Sequence, residues 1–464
     1  MKKSVPAIIA LIGSLLVIAF FAWAFGQHGT IGLYRINTGI AWIFNIFGGL
    51  GIVLLLAAGY LQWRKVTGRT GMVWLQVIAV VLALPAIIVP VAAFSVLGGV
   101  FSGDIGDLPP RLLMTDAVGR YGIPDIALVF NSASETADYE VTYQENASGT
   151  PEVVQDAESS GEHVFLLRDL HPETTCEFRV NDDQPYSFTT PSLDGNLHFA
   201  VGSDAHFGSS MSRNDLTAAM LAEIADPVNN YDAFFFLGDL VEYGFQQDQW
   251  QQAFNSFVTV TSAVPTVFAA GNHDTLFSGL DHYLDYCSPE AVAASGSGLW
   301  RRVDIGSAHF LILDVEWSAE SVTPAQLEWL EAQLSNIPDD EWKIVIGHGF
   351  YYCSGITMYG WDWFDNPETI AKLTPLFENY GVDLVFSGHN HRLELLERSG
   401  VKYVVCGAFG GYPDPEPTYI SPASLWEADG EYAFVDVTLQ GDACNLVFRN
   451  AGDEILYEDA FTRQ

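Results

Sequence analysis

The stretch AFFFLGDLVE, residues 233–242, decides how the rest of the chain is read. An uninterrupted apolar run, 233–237, stops at Gly238 and delivers Asp239 and then Glu242. A run that is apolar at every position, with no alternation, suits a strand buried on both faces, as in a parallel sheet covered by helices. The device recurs. Residues 197–203 run into Asp204-Ala205-His206, and 264–270 into Gly271-Asn272-His273-Asp274. Residues 342–346 run into Gly347-His348, and 382–386 lead to Gly388-His389-Asn390-His391. Each time the polar residues follow the expected C-terminal end of a strand, the edge along which open α/β sheets place their ligands. The glycines there permit tight turns and close backbone approach.

These motifs supply carboxylates, imidazoles and a carboxamide oxygen, the donors that hold Zn, Mn or Fe. Their order and spacing resemble the calcineurin-like metallophosphoesterase superfamily, which includes the purple acid phosphatases. The resemblance implies an α/β/β/α sandwich and a pair of divalent metal ions (Mn, Zn or Fe). It assigns Asp204, His206, Asp239 and His391 to one metal. Asp239, Asn272, His348 and His389 go to the other, with Asp239 bridging. His273 is then the general acid over the substrate, and Asp274 a candidate to orient an imidazole. Purple acid phosphatases carry a ligating tyrosine where this chain has Glu242, with Tyr243 one residue late, and they lack a ligand at the position of His206. The resemblance is therefore to the arrangement of those enzymes without the tyrosine ligand, and a divalent pair is expected in place of a tyrosinate–iron(III) centre.

Charge divides the chain. Residues 1–103 hold six basic residues and no acidic one, so the remainder stands at −43 within a total of −37. So acidic a body excludes a nucleic-acid binder, which would need clustered Lys and Arg. No protein partner is evident. Residues 1–103 contain three apolar stretches, 5–25, 38–61 and 72–101, each reaching the roughly 20 residues that a bilayer crossing needs. They are expected to form a three-helix transmembrane region that makes the protein integral to the membrane. Lys2, Lys3, Arg64, Lys65 and Arg69 would face the cytoplasm, which puts the acidic body outside it in a multi-pass cell-membrane protein. Residues 22–24 also resemble a signal-peptide cleavage site. The five cysteines form no Cys-x-x-Cys pattern, which argues against a structural zinc site; Cys353, close to His348, reads as a small buried hydrophobe.

A linker, 104–111, leads to short alternating segments over 112–192 that read as strands. They resemble a small fibronectin type III-like β-sandwich of the kind that precedes the catalytic domain in many purple acid phosphatases. Residues 193–464 are the catalytic domain. Helices are expected at 215–225, 247–260, 324–334 and 368–380, the third opened by Thr323 and Pro324, and strands at 402–405 and 432–437. His309, in an apolar run, reads as core, and His163, His171, His198 and His282 have no partner motif. Phe207, Tyr243, Tyr351 and Tyr352 flank the donors as pocket wall or as core.

The reading is a membrane-anchored, extracytoplasmic dinuclear-metal-dependent phosphoesterase that hydrolyses a phosphate ester by attack of a metal-bound hydroxide. One alternative is a phosphodiesterase acting on a nucleotide or lipid headgroup. The other is a non-catalytic membrane sensor with a phosphoesterase fold. The substrate is not written in these motifs, which describe metals and not the leaving group.

Overall fold

The structure is a computed structural model that describes residues 107–463 apart from 133–138, 147–148, 155–161, 182, 277–278, 294–296 and 359. Among these residues two large sheets lie face to face. In the first, strand Ala233–Phe236 runs parallel to Asn196–Gly202 on one side and to Thr266–Phe268 on the other. The apolar run has two buried faces. Phe235 and Leu237 enter the core between the sheets with Phe199, Phe310, Ile344 and Phe386. Phe234 and Phe236 turn outward onto Trp250, Phe254 and Phe257 of helix Gln247–Thr261. Phe235 stacks on Phe310 with centroids 4.3 Å apart, joining one sheet to the other.

The second sheet sets Ala308–Ile312, Trp342–Ile346, Leu384–Ser387 and Val401–Cys406 side by side in parallel. Helices Pro324–Asn336 and Pro367–Tyr380 cover its outer face through Leu330, Leu334, Leu373 and Phe377. Helix, sheet, sheet and helix layers follow in turn, so the α/β/β/α expectation holds. The helix starts have local causes. Thr323 Oγ1 accepts from Gln326 N, and the Asn366 side chain accepts from Glu368 N and Thr369 N, each followed by a proline at the first helical position. The four expected helices lie within two residues of their expected ends. Helix Gly279–Cys287 was not expected, because its 9 residues are too few for a helical period to separate from other patterns.

Strands Leu108–Val118, Pro124–Asn131 and Glu162–Leu167 pair antiparallel. Leu113 meets Thr266 in parallel register, so these strands extend the first sheet. A four-stranded sheet of Glu152–Val154, Val141–Glu145, Thr175–Val180 and Tyr186–Thr189 shares a core with them that includes Leu112, Leu128, Phe165, Phe178 and Phe188. On the opposite flank Ala433–Gln440, Ala443–Asn450 and Ile455–Thr462 complete the first sheet.

The membrane expectation is corrected. Among the described residues no helix is long and apolar enough to cross a membrane. The longest, Gln247–Thr261, has 15 residues against the roughly 20 that a crossing needs. The three transmembrane helices expected over 1–103 lie outside the described residues. The multi-pass cell-membrane location, which rested on them, is set aside with them.

Candidate metal centre

The strand ends of both sheets bring the motif residues to one place. Backbone geometry there is unusual. Asp204, His206, Asp239 and His389 all adopt positive φ, at 64°, 50°, 51° and 67°. Such a conformation costs a non-glycine residue of order 1–3 kcal/mol and persists only where surroundings enforce it. Neighbouring glycines make room for it. A Cβ on Gly271 would lie 2.2 Å from Asp239 N, and one on Gly388 would lie 2.4 Å from Asp204 Oδ2.

On one side, Asp204, His206 and His391 converge. His391 Nε2 is 3.3 Å and His206 Nε2 3.7 Å from Asp204 Oδ1, and the two Nε2 atoms are 3.0 Å apart. On the other, Asp239, His348 and His389 converge, and Asn272 Oδ1 lies 3.1 Å from His348 Nε2 and 2.9 Å from His389 Nδ1. Asp239 spans the two, its Oδ2 standing 3.5 Å from His206 Nε2 and 3.3 Å from His348 Nε2. His273 adjoins the first side. One of its ring nitrogens lies within 4.8 Å of donor atoms on His206 and Asp239, and Nδ1 donates to Glu242 O at 2.6 Å.

The donor set fits divalent cations. Asp204 Oδ1 is buried and has no hydrogen-bond partner. His206 Nδ1 and His348 Nδ1 donate outward, to Glu242 Oε2 at 3.0 Å and Leu237 O at 2.9 Å. In the neutral rings it is the Nε2 lone pairs that face the carboxylates. Acceptors converging in this way call for positive charge among them. Without a metal, protons supply it. Burial pulls His206 and His348 down, but the surrounding carboxylates outweigh it and hold them up at about 10 and about 9. Burial likewise opposes ionisation of Asp204 and Asp239, yet the imidazoles, His348 foremost, hold both carboxyls below their usual range. Burial and the neighbouring His348 push His389 down to about 3, so that ring stays neutral.

All nine residues singled out in the sequence lie in or beside this cluster, but Asp274 does not touch an imidazole. Its carboxylate accepts Leu240 N at 2.9 Å, Val241 N at 3.2 Å and Gly271 N at 3.1 Å, tying two motif loops together. Glu242 orients His206. Phe207 and Tyr351 are buried in core clusters, Tyr352 packs on Tyr403, and Tyr243 is exposed. His309 is buried yet bonded to Asp304 and Glu341. Sequence reading missed Trp317, Phe350 and Trp363, which surround His389. One signal was available for Trp317, which follows strand Ala308–Ile312 at the same sheet edge as the motifs.

Residues 197–393 match the family model described as calcineurin-like phosphoesterase. The chain carries a calcineurin-like phosphoesterase domain. Purple acid phosphatase 22 of Arabidopsis thaliana is 26% identical over 248 residues, 51% of this chain and 54% of that protein. A nucleotide pyrophosphatase/phosphodiesterase of Hordeum vulgare is 23% identical over 340 residues, 64% of this chain and 92% of that protein. The chain spans about half the length of the Arabidopsis relatives it matches. Among solved structures, purple acid phosphatase PPD1 from yellow lupin (Lupinus luteus) seeds shares the fold of the phosphoesterase domain. Its TM-score is 0.67 at 17% identity, covering 78% of this chain and 75% of that one.

Proposed function

We propose that the protein is a phosphoric ester hydrolase that works with two divalent cations. The observation that carries this reading is the position of Asp239, whose Oδ2 faces imidazoles of both donor groups at 3.5 and 3.3 Å. Asp204, His206, Asp239 and His391 would hold one cation, and Asp239, Asn272, His348 and His389 the other. A cation pair bound there would polarise a phosphoryl oxygen and acidify a water.

The chain's own residues do the rest. Glu242 and the Leu237 carbonyl fix the tautomers of His206 and His348. Asp274 sets the spacing of the motif loops. His273 donates through Nδ1 to Glu242 O, which leaves Nε2 to carry a proton to the departing oxygen. Residues 112–192 we read as a fibronectin type III-like companion of the catalytic domain, 193–464, on the strength of the sheet they share.

A second reading, hydrolysis of a phosphodiester or pyrophosphate, is favoured by the barley relative, 92% of which is matched. A non-catalytic sensor is the weaker reading, because carboxylates, imidazoles and the Asn272 oxygen converge on one place. Hydrolysis of an alkyl phosphomonoester, a phosphodiester and a dinucleotide pyrophosphate, each with Mn or Zn and with chelator, tests all three. Chelator-sensitive turnover of one substrate class is expected. No turnover of any of them, with both metals bound, overturns the enzyme reading.

A further inference from the structure

Three of the four ligand histidines are oriented alike. Nδ1 donates to a fixed oxygen: Glu242 Oε2 at 3.0 Å for His206, Leu237 O at 2.9 Å for His348 and Tyr412 O at 2.6 Å for His391. Such partners aim the ring and raise its basicity toward a metal. His389 is turned the other way. Its Nδ1 faces Asn272 Oδ1 at 2.9 Å and His348 Nε2 at 3.3 Å. Its Nε2 points away, and among the described residues no hydrogen-bond partner meets it.

Aromatic rings hold this imidazole. Phe350 stacks on it at 5.9 Å and 14°, and Trp363 at 5.4 Å and 23°. Trp317 meets it edge-on at 5.0 Å and 73°. These separations fall within the range where aromatic pairs attract. Trp363 is itself anchored. Its carbonyl accepts Asn390 Nδ2 at 3.1 Å, and its N–H donates to Ile356 O at 3.0 Å. Two residues on, Asp365 accepts Tyr419 Oη at 2.6 Å, Ser421 Oγ at 2.8 Å and Cys353 N at 3.1 Å.

We propose that Phe350 and Trp363 are positioning residues for the cation beside His389. Stacking fixes the plane of the ring, as a hydrogen bond would. It neither pins the direction of Nδ1 within that plane nor strengthens the nitrogen as a donor. The inference rests on the two-cation reading but is tested without turnover.

The protein is loaded with Co2+ and stripped with increasing chelator, while cobalt is counted and tryptophan emission followed. In the wild type, the equivalent whose departure restores emission is the one beside His389, because Trp317 and Trp363 adjoin that ring. Trp363→Ala is expected to bind that equivalent about 10–100-fold more weakly, leaving the other unchanged. Phe350→Leu is expected to weaken the same equivalent. Trp363→Phe, which keeps a stacking ring, holds both. The proposal is overturned if Trp363→Ala and Phe350→Leu keep both equivalents at wild-type affinity, or lose both together. It is also overturned if Phe350→Leu weakens the equivalent whose departure leaves emission unchanged. A wild type that binds fewer than two equivalents overturns the two-cation reading and this proposal with it.

Discussion

Glu242 Oε2 accepts a hydrogen bond from His206 Nδ1 at 3.0 Å. On the two-cation reading, the Glu242 carboxylate orients a donor histidine instead of binding metal itself. Glu242→Gln keeps the size of the side chain but removes the charge that steadies His206. Metal affinity should fall about 10–100-fold for one equivalent, as is typical of such partners. Isothermal titration calorimetry of the apo-protein checks this. Iron-loaded wild type should also lack a strong visible charge-transfer band. Such a band would mean that a tyrosinate reaches the metal after all.

Asp239 is the most damaging donor to remove, because its Oδ2 faces both halves of the cluster. Asp239→Asn should lower the metal content and abolish turnover. Elemental analysis that finds both metals in this variant at full occupancy contradicts the shared role.

His273→Ala should retain both metals and lose about 10²–10⁴ in rate on alkyl phosphates, the usual worth of a general acid. Nitrophenyl phosphates, whose leaving group needs no proton, should suffer far less. Equal losses on both substrates would make His273 a structural residue.

The metal-free protein should depend on pH in a particular direction. His206 and His348, held at about 10 and about 9 in the fold, exceed the value of about 6.5 for an unfolded histidine. Their contribution to stability is complete below about pH 6.5 and disappears as the pH rises through the folded values. Chelated protein should therefore melt at a lower temperature at pH 9.5 than at pH 6.5. Added Zn should remove much of that difference, since metal replaces the protons. Melting curves at both pH values, with and without metal, decide the matter, and a chelated protein that is equally stable at both counts against the proton-filled cluster.

Phe235→Ala removes a fully buried ring stacked at 4.3 Å on Phe310 between the sheets. The cost should be about 3–5 kcal/mol, the range for such cavities. Denaturant unfolding measures it, and a loss under about 1 kcal/mol would mean that the core closes over the gap.

The fold was legible wherever sequence and packing share a period. Residues 233–237 are apolar throughout because Phe234 and Phe236 meet a helix while Phe235 and Leu237 meet a sheet. The donors were legible because each follows such a strand. What surrounds them was less so. The oxygens that aim His348 and His391 belong to the backbone of Leu237 and Tyr412, and any residue has a carbonyl. Asp274 looked like a partner for an imidazole, but its oxygens turn to backbone N–H groups, a choice fixed by loop geometry and invisible in composition. Trp363 reaches His389 from a segment with no metal motif of its own.

Strand Leu108–Val118 lies directly beside Thr266–Phe268, the strand that delivers Asn272 and His273. A fragment starting at residue 193 would thus leave Thr266–Phe268 with one side bare, and unpaired strand edges recruit other chains. The arm that reaches the catalytic half first in the sequence also caps it against self-association. A fragment cut at residue 193 is expected to self-associate more than the longer chain, which light scattering of the two would show.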